Sequence, residues 1–109
     1  MARMDIPRPE QLHSASRGLR VIAHPVRLQI LCNLINQAMN VSELIEQTGI
    51  SQPVLSQHLA RLRDLHIVNC QRQGKLVFYK LADPAYSAII AAVKGVYCQE
   101  SGEANGGAH

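Results

Sequence analysis

The stretch "VSELIEQTGISQPVLSQHLARLR", residues 41–63, indicates two helices that follow each other closely. Ser42 is a good N-cap for the first helix, and Gly49 can end that helix in a left-handed conformation. Ser51 can then cap the second helix, whose first turn accommodates Pro53. A glycine in a short turn between two helices is typical of a helix-turn-helix, and the second helix of such a unit can enter the major groove of DNA.

The second helix is expected to reach about His66 and to have two different faces. At about 100° per residue, one face carries Leu55, Leu59, Leu62 and His66, and the other carries Pro53, Ser56, Gln57, Ala60, Arg61 and Asp64. Gln suits adenine, Ser suits several bases, and Arg61 could reach guanine or a phosphate. The alternative is an ordinary solvated helix face. His58 lies at the flank of the apolar face, where a packing or hydrogen-bonding role is favoured over base contact.

The stretch "IVNCQRQGKLVFYKL", residues 67–81, predicts a β-hairpin of two alternating strands around Gly74. Arg72, Gln73 and Lys75 give it a basic tip, which can lie along the DNA backbone and neutralise phosphates. The alternative is that these charges only keep the hairpin soluble. A helix-turn-helix followed by such a hairpin is a winged helix. Cys70 alternates with Val68 and is expected to pack against the domain.

Three further helices complete the predicted order α-α-α-α-β-β-α, a mainly α fold with a β-hairpin wing. One helix covers about residues 10–23, and a second begins near Pro25 and runs to about Gln37 with apolar residues at helical spacing. Asp83 caps the last helix, which has Pro84 at its first position and ends near Cys98. The expected domain spans residues 10–99, between a flexible arm over residues 1–9 and a disordered tail over residues 100–109.

The last helix, "PAYSAIIAAVKGVYC", is apolar on nearly all sides, so it must be buried. A 109-residue monomer has little left to cover it. A homodimer formed through the first and last helices would cover it by two-fold symmetry. Its two recognition helices would then meet the half-sites of an inverted repeat in double-stranded DNA, about 34 Å apart.

The composition suits one small domain with a polyanion as partner. The chain has 109 residues, 11 Lys and Arg against 8 Asp and Glu, and three cysteines. An odd number of widely spaced cysteines predicts free thiols in a reducing cytoplasm, and no signal peptide or membrane span is expected. No nucleophile has a plausible base, and no glycine-rich phosphate loop is present, so an enzyme is the least favoured class.

The stretches "AHPVRLQILCNL", "SELIEQTGISQPVLSQHLARLRDLHIV" and "RQGKLVFYKL" resemble the ArsR family of bacterial winged-helix repressors over about residues 19–98. The resemblance implies a dimeric regulator that leaves its operator when an inducer arrives. It also implies that Gln52, Ser56 and Gln57 face DNA. The helical wheel agrees for Ser56 and Gln57 and puts Gln52 nearer the inner edge.

Many members of this family sense metals, but the matching positions lack the ligands. The Cys-x-Cys pair of one family site would fall in residues 41–45, which hold no thiol. The last helix offers Asp83 at its cap and no histidine before the tail. His13, His24, His66 and His109 share no ligand spacing, so no metal cofactor is expected.

The stretches "ILCNL" and "GVYC" resemble a thiol-sensing branch of the family, which includes the sulfide-responsive BigR and SqrR repressors and the virulence regulator HlyU. Cys32 and Cys98 match its two sensing cysteines. The resemblance implies a dithiol that reactive sulfur species or another oxidant links covalently. Free cysteines also often behave as small buried apolar residues. Two other functions stay open: a repressor with an unrecognised metal site, and a redox-insensitive regulator that displaces another DNA-bound protein.

Overall fold

A computed structural model describes residues 6–98, which form five helices and a three-stranded antiparallel sheet. The predicted winged helix-turn-helix is confirmed, with one additional short strand. The predicted tail and most of the predicted arm lie outside the described residues. In chain order the elements are α1 (Pro9–Ile22), α2 (Pro25–Asn33), β1 (Met39–Asn40), α3 (Val41–Thr48), α4 (Gln52–Asp64), β2 (Val68–Gln73), β3 (Leu76–Leu81) and α5 (Pro84–Tyr97).

The sheet has the strand order β1-β3-β2. Strands β2 and β3 form the predicted hairpin, in register from Val68 opposite Leu81 to Gln73 opposite Leu76. Gly74 lies in the turn with φ +65°, a conformation that glycine adopts without strain. The sequence analysis missed β1, because two residues carry no alternating pattern. Tertiary structure forms this strand by pairing it with the free edge of β3.

Helix α2 begins at Pro25 as predicted but ends at Asn33, so the predicted end near Gln37 is wrong. Its first turn is capped by His24, whose Nδ1 accepts a hydrogen bond from the backbone N–H of Val26 at 3.1 Å. Leu34 follows the helix and is still buried. Leu34 therefore fits the apolar spacing of the helix, although the helix has already ended and the chain has turned towards β1.

Helix α3 is capped by Asn40 and not by Ser42, so the predicted N-cap is also wrong. The Asn40 side chain accepts a hydrogen bond from the Glu43 backbone N–H at 2.8 Å, and the Glu43 carboxylate accepts one from the Asn40 N–H at 2.9 Å. This reciprocal capping box satisfies two backbone donors and lets the helix begin directly after β1. Gly49 ends α3 at φ +73°, which confirms the predicted left-handed cap.

Helix α4 begins after Ser51, as predicted, although the Ser51 side chain makes no capping hydrogen bond. The helix ends at Asp64, and His66 lies beyond it at φ +59° and is exposed. The prediction that His66 belongs to the inner face is therefore wrong. The N–H of Ile67 donates to the carbonyl of Leu62, and that of His66 donates to the carbonyl of Arg63, both at 2.9 Å. These two bonds form a Schellman motif, which ends the helix and buries Ile67 against the core.

The core lies between α2, α3, α4, the base of the hairpin and one side of α5. Its fully buried side chains are Ile30, Leu31, Leu44, Leu55, Leu59, Leu62, Ile67, Val68 and Ile90. Asp83 caps α5 as predicted, accepting a hydrogen bond from the Ala85 N–H at 2.8 Å. Helices α1 and α5 keep apolar side chains on their outer sides, including Val96 at 65% and Tyr97 at 81% exposure. Within residues 6–98, no helix is long and apolar enough to cross a membrane.

Candidate DNA-binding surface and cysteine pair

Helix α4 separates an apolar inner face from a polar outer face, as the wheel predicted. Leu55, Leu59 and Leu62 are at most 1% exposed. The outer-face residues are all exposed: Pro53, Ser56, Gln57, Ala60, Arg61 and Asp64. Short polar side chains thus project from the N-terminal half of this helix, where the major groove of DNA could accept them.

Gln52 is the first residue of α4, and it is exposed. The wheel placed it nearer the inner edge, but Gln52 lies at the open N-terminal end of the helix and is not buried there. The implied DNA-facing residues Gln52, Ser56 and Gln57 therefore share one solvent-accessible end of the helix.

The wing consists of residues 68–81, and its tip carries the predicted basic residues. Arg72, Gln73 and Lys75 are all exposed. Arg72 lies opposite Val77, and Gln73 lies opposite Leu76 at the last pair of the hairpin. The tip thus extends beyond the core, where its cations are available to phosphates.

Cys70 does not pack against the domain, so that prediction is wrong. Its alternation with Val68 is real, but the core ends at Val68, which is buried, and Cys70 lies further along the strand and is exposed. The Nη1 atom of Arg63 lies 3.6 Å from its sulfur. The alternation of a strand predicts which face a side chain takes, but not whether other residues cover that face.

His58 is held by hydrogen bonding, which confirms the interpretation from the sequence. The Nε–H of Arg27 donates to Nδ1 of His58 at 3.2 Å, and Nη1 of the same guanidinium donates to the carbonyl of Val21 at 3.0 Å. The rings of His24 and His58 are 4.7 Å apart. Arg27 therefore connects the end of α1 and the start of α2 to the middle of α4.

The pKa of His58 is lowered from its ordinary value, first by burial and then by His24 and Arg27. A protonated ring would have no free nitrogen to accept the bond from Arg27. The sequence analysis missed Arg27, because its partner lies 31 residues away and no local spacing could have indicated the contact.

Cys32 and Cys98 differ in their surroundings. Cys32 is half-buried on α2 and packs against the core, whereas Cys98 is exposed at the C-cap of α5. Burial raises the pKa of Cys32, Lys94 opposes that shift, and Cys98 adds to it. Helices α2 and α5 pack against each other, and both Lys94 and Cys98 act on the Cys32 thiol, so the C-terminal part of α5 lies near Cys32. The two cysteines are not joined by a disulfide in this structure.

Lys94 is a second residue that the sequence analysis missed. The backbone N–H of Cys98 donates to the carbonyl of Lys94 at 2.8 Å, so the two residues lie one helical turn apart. The spacing of four residues on an apolar helix was the available signal, since such residues are neighbours on one face. Lys94 is the cation that favours the thiolate of Cys32.

Residues 6–98 contain no group of three or more His, Cys, Asp and Glu side chains that could hold a metal ion. His24 and His58 are neighbours, but one nitrogen of each ring already accepts a hydrogen bond.

Comparison with known proteins identifies the family. The profile of "Bacterial regulatory protein, arsR family" matches residues 24–69. The "Transcriptional activator HlyU" of Vibrio cholerae is 41% identical over 81 residues, which cover 74% of this chain and 75% of that protein. These relationships confirm the resemblance and agree with the prediction that the chain is not an enzyme.

Solved structures agree with this assignment. The structure of HlyU from Vibrio cholerae N16961 has a TM-score of 0.79 and 37% identity, and the match covers 84% of this chain and all of that one. The transcriptional repressor BigR from Xylella fastidiosa has a TM-score of 0.77 and 34% identity, over 84% of this chain and 93% of that one. The chain is a winged-helix transcriptional regulator and belongs to the arsR family.

Proposed function

We propose that the protein is a homodimeric repressor that binds an inverted-repeat operator in double-stranded DNA and releases it when Cys32 and Cys98 become covalently linked. The inducer is a reactive sulfur species, a persulfide or polysulfide, or another oxidant. The protein would act in the cytoplasm, on the bacterial nucleoid. The observation that carries the proposal is the position of α2, which holds Cys32 beside the end of α5 and holds Arg27 against the DNA-facing helix α4.

The DNA-binding part rests on two exposed polar surfaces. Gln52, Ser56, Gln57 and Arg61 would face the major groove, because α4 buries its leucines and exposes these side chains. Arg72, Gln73 and Lys75 at the wing tip would contact the backbone. The first surface suits base recognition and the second suits phosphate contacts that position the protein on the duplex.

The homodimer is supported by apolar side chains that the described monomer leaves uncovered. Leu12 and Leu19 on α1 are 53% and 54% exposed, and Val96 and Tyr97 on α5 are more exposed still. A second copy packed against both helices would remove this apolar area from water. A covalent link at the end of α5 would then act directly at the dimer interface.

The asymmetry of the two thiols supports an order of reaction. Cys98 is accessible to a reagent, whereas burial raises the pKa of Cys32 and keeps it a poorer nucleophile, since the thiolate is the reactive form. Cys98 thiolate would attack the outer sulfur of a persulfide R–S–SH. A new S–S bond forms, the donor S–S bond breaks, and R–S⁻ leaves and is protonated. Cys98 then carries –S–SH.

Cys32, assisted by Lys94, completes the link. Its thiolate would attack the sulfur attached to Cβ of Cys98 and expel HS⁻, so two thiols are oxidised to a disulfide and the transferred sulfur is reduced to sulfide. With an organic trisulfide, Cys98 would attack the central sulfur and Cys32 would attack that same atom, each step expelling R–S⁻. The product Cys98–S–S–S–Cys32 retains one extra sulfur atom.

Helix α2 is short enough to transmit this change as a rigid element. Its nine residues carry Arg27 near one end and Cys32 near the other. A covalent tie to α5 would shift α2 relative to the dimer interface, and the bond from Arg27 to His58 would carry the shift to α4. Two states of one packed element, biased by a local change, are the usual basis of allosteric switching.

The experiment is peptide mapping of the reduced protein after separate treatment with glutathione persulfide and with hydrogen peroxide, combined with DNA-binding titrations. We expect a Cys32–Cys98 peptide together with loss of operator binding. Cys32→Ser and Cys98→Ser should prevent both changes, and Cys70→Ser is the matched control that should not. A Cys32–Cys98 link that forms after persulfide but not after peroxide, with or without an extra sulfur atom, would identify a reactive-sulfur sensor, whereas a disulfide that also forms after peroxide would identify a general oxidation sensor.

Two results would contradict the switch. If the two cysteines never become linked, or if the linked protein binds its operator as well as the reduced protein does, Cys32 and Cys98 have no sensing role. Loss of DNA binding with about one zinc or arsenite per protomer would then point to an unrecognised metal site. Equal operator binding under all conditions would instead indicate a regulator that competes with another DNA-bound protein.

A further inference from the structure

Exposed large apolar side chains fall into two groups in the described part of the chain. Six lie on the segment before α1, on α1 itself or on α5: Ile6, Leu12, Leu19, Ile89, Val96 and Tyr97. The other two, Val54 and Leu76, lie on other elements, α4 and the wing. A dimer through α1 and α5 accounts for the first group but leaves Val54 and Leu76 unexplained.

Val54 lies in the first turn of α4 and is 40% exposed, while its neighbour Leu55 is completely buried. At about 100° per residue, Val54 lies about 20° from Arg61 and about 60° from Gln57 around the helix. The side chain therefore belongs to the outer face, although its type would suit the core. The sequence analysis did not assign Val54 to this face. It named only Pro53, Ser56, Gln57, Ala60, Arg61 and Asp64 there.

The DNA major groove offers one apolar group for such a side chain. Among the four bases, only thymine presents a methyl group there, at C5, and an apolar contact distinguishes it. The polar side chains beside Val54 suit base edges, with Gln57 matched to adenine, the partner of thymine. In the free protein the Val54 side chain contacts water. A contact with a thymine methyl group would therefore remove this apolar side chain from water.

We propose that Val54 contacts the C5 methyl group of a thymine in each operator half-site, and thereby helps to determine which sequence the protein binds. The inference rests on the proposed DNA-binding function but not on the cysteine switch. It adds an apolar contact to a set of specificity residues that otherwise consists of hydrogen-bonding side chains. Leu76 has a different position, at the wing tip, and contributes no thymine contact in the major groove.

The test uses a duplex selected from a random-sequence pool by the reduced wild-type protein. Each thymine is then replaced by deoxyuridine, one half-site at a time, which removes the methyl group and leaves base pairing intact. Loss of one buried methyl group should weaken binding about fourfold. We expect this loss for the wild type at one thymine per half-site, and little or no loss at the same position for Val54→Ala.

Leu76→Ala is the matched control, because it also removes an exposed apolar side chain from the DNA-facing side. It should keep the wild-type response to deoxyuridine. The proposal is overturned if no thymine is sensitive, if Val54→Ala remains as sensitive as the wild type, or if only Leu76→Ala loses the response. If selection enriches no sequence, the proposed DNA-binding function fails and this inference fails with it.

Discussion

Substitution of Gly49 by alanine tests whether the turn of the helix-turn-helix requires a left-handed residue. Gly49 has φ +73°, and a Cβ built on it would meet no heavy atom within 4 Å apart from those of Gly49 and its two chain neighbours, so the substitution adds backbone strain without a collision. The left-handed conformation costs an L-residue about 1 to 2 kcal/mol. Alanine also lowers the entropy of the unfolded chain, which offsets about 0.4 to 1 kcal/mol.

The net expectation is a loss of about 1 kcal/mol in the free energy of unfolding, or a fall of about 4 to 8 °C in Tm. Urea denaturation followed by circular dichroism measures it, at one fixed protein concentration because dimer stability depends on concentration. Gly49→Asn should lose less than Gly49→Ala, since asparagine tolerates the left-handed region better.

His66 provides the reciprocal control, because it already adopts φ +59° with a side chain. His66→Gly should relieve strain at the Schellman motif and raise stability by up to about 1 kcal/mol, since the side chain that it removes is exposed. Equal stability of Gly49→Ala and the wild type would refute the reasoning, as would a loss of stability in His66→Gly.

The remaining predictions concern DNA binding and pH. Gln57→Ala should weaken binding to the selected operator more than binding to random duplex, because base contacts specify; equal losses in the two titrations would remove Gln57 from base recognition. Lys75→Ala should reduce the slope of log K against log salt by about 0.9 for each phosphate that the lysine neutralises, and an unchanged slope would exclude a phosphate contact by this residue. The lowered pKa of His58 means that the unfolded chain binds the proton more tightly, so the associated stability is complete above about pH 6.5 and is lost as the pH falls towards the folded-state pKa. Urea denaturation at pH 7.5 and 5.5 should show a smaller decrease for His58→Gln than for the wild type, and equal decreases would contradict that origin.

Local signals predicted most of the elements but fewer of their ends. Gly49, Pro53, Gly74 and Asp83 act within one turn of their own positions, so the sequence indicated their roles directly. The predicted end of α2 was wrong, because buried Leu34 continues a helical spacing after the helix has ended. The spacing of apolar residues indicates which side chains are buried, but not whether the backbone is helical. A turn that buries the same side chains therefore has the same sequence pattern as a longer helix.

The sequence also predicted part of the candidate site, namely the part that depends on local spacing. The polar face of α4 and the basic tip of the wing follow from short repeats, and the structure exposes both sets. The pairing of Cys32 with Cys98 came only from resemblance to a family, since 66 positions separate them. Arg27, Lys94 and the exposure of Cys70 required coordinates, because each depends on residues that are distant in sequence or on where the core ends.

The sequence by itself determined the order of helices and hairpin, the two faces of α4 and the left-handed turn at Gly49, because spacing and backbone preference act over a few residues. Tertiary structure decided the strand β1, the cap at Asn40, the end of α2 and the bond from Arg27 to His58. It also packed α5 against α2, with the C-terminal part of α5 near Cys32. These features arise when separate elements compete for the same core and the same hydrogen-bond partners, which is a property of the packed chain as a whole.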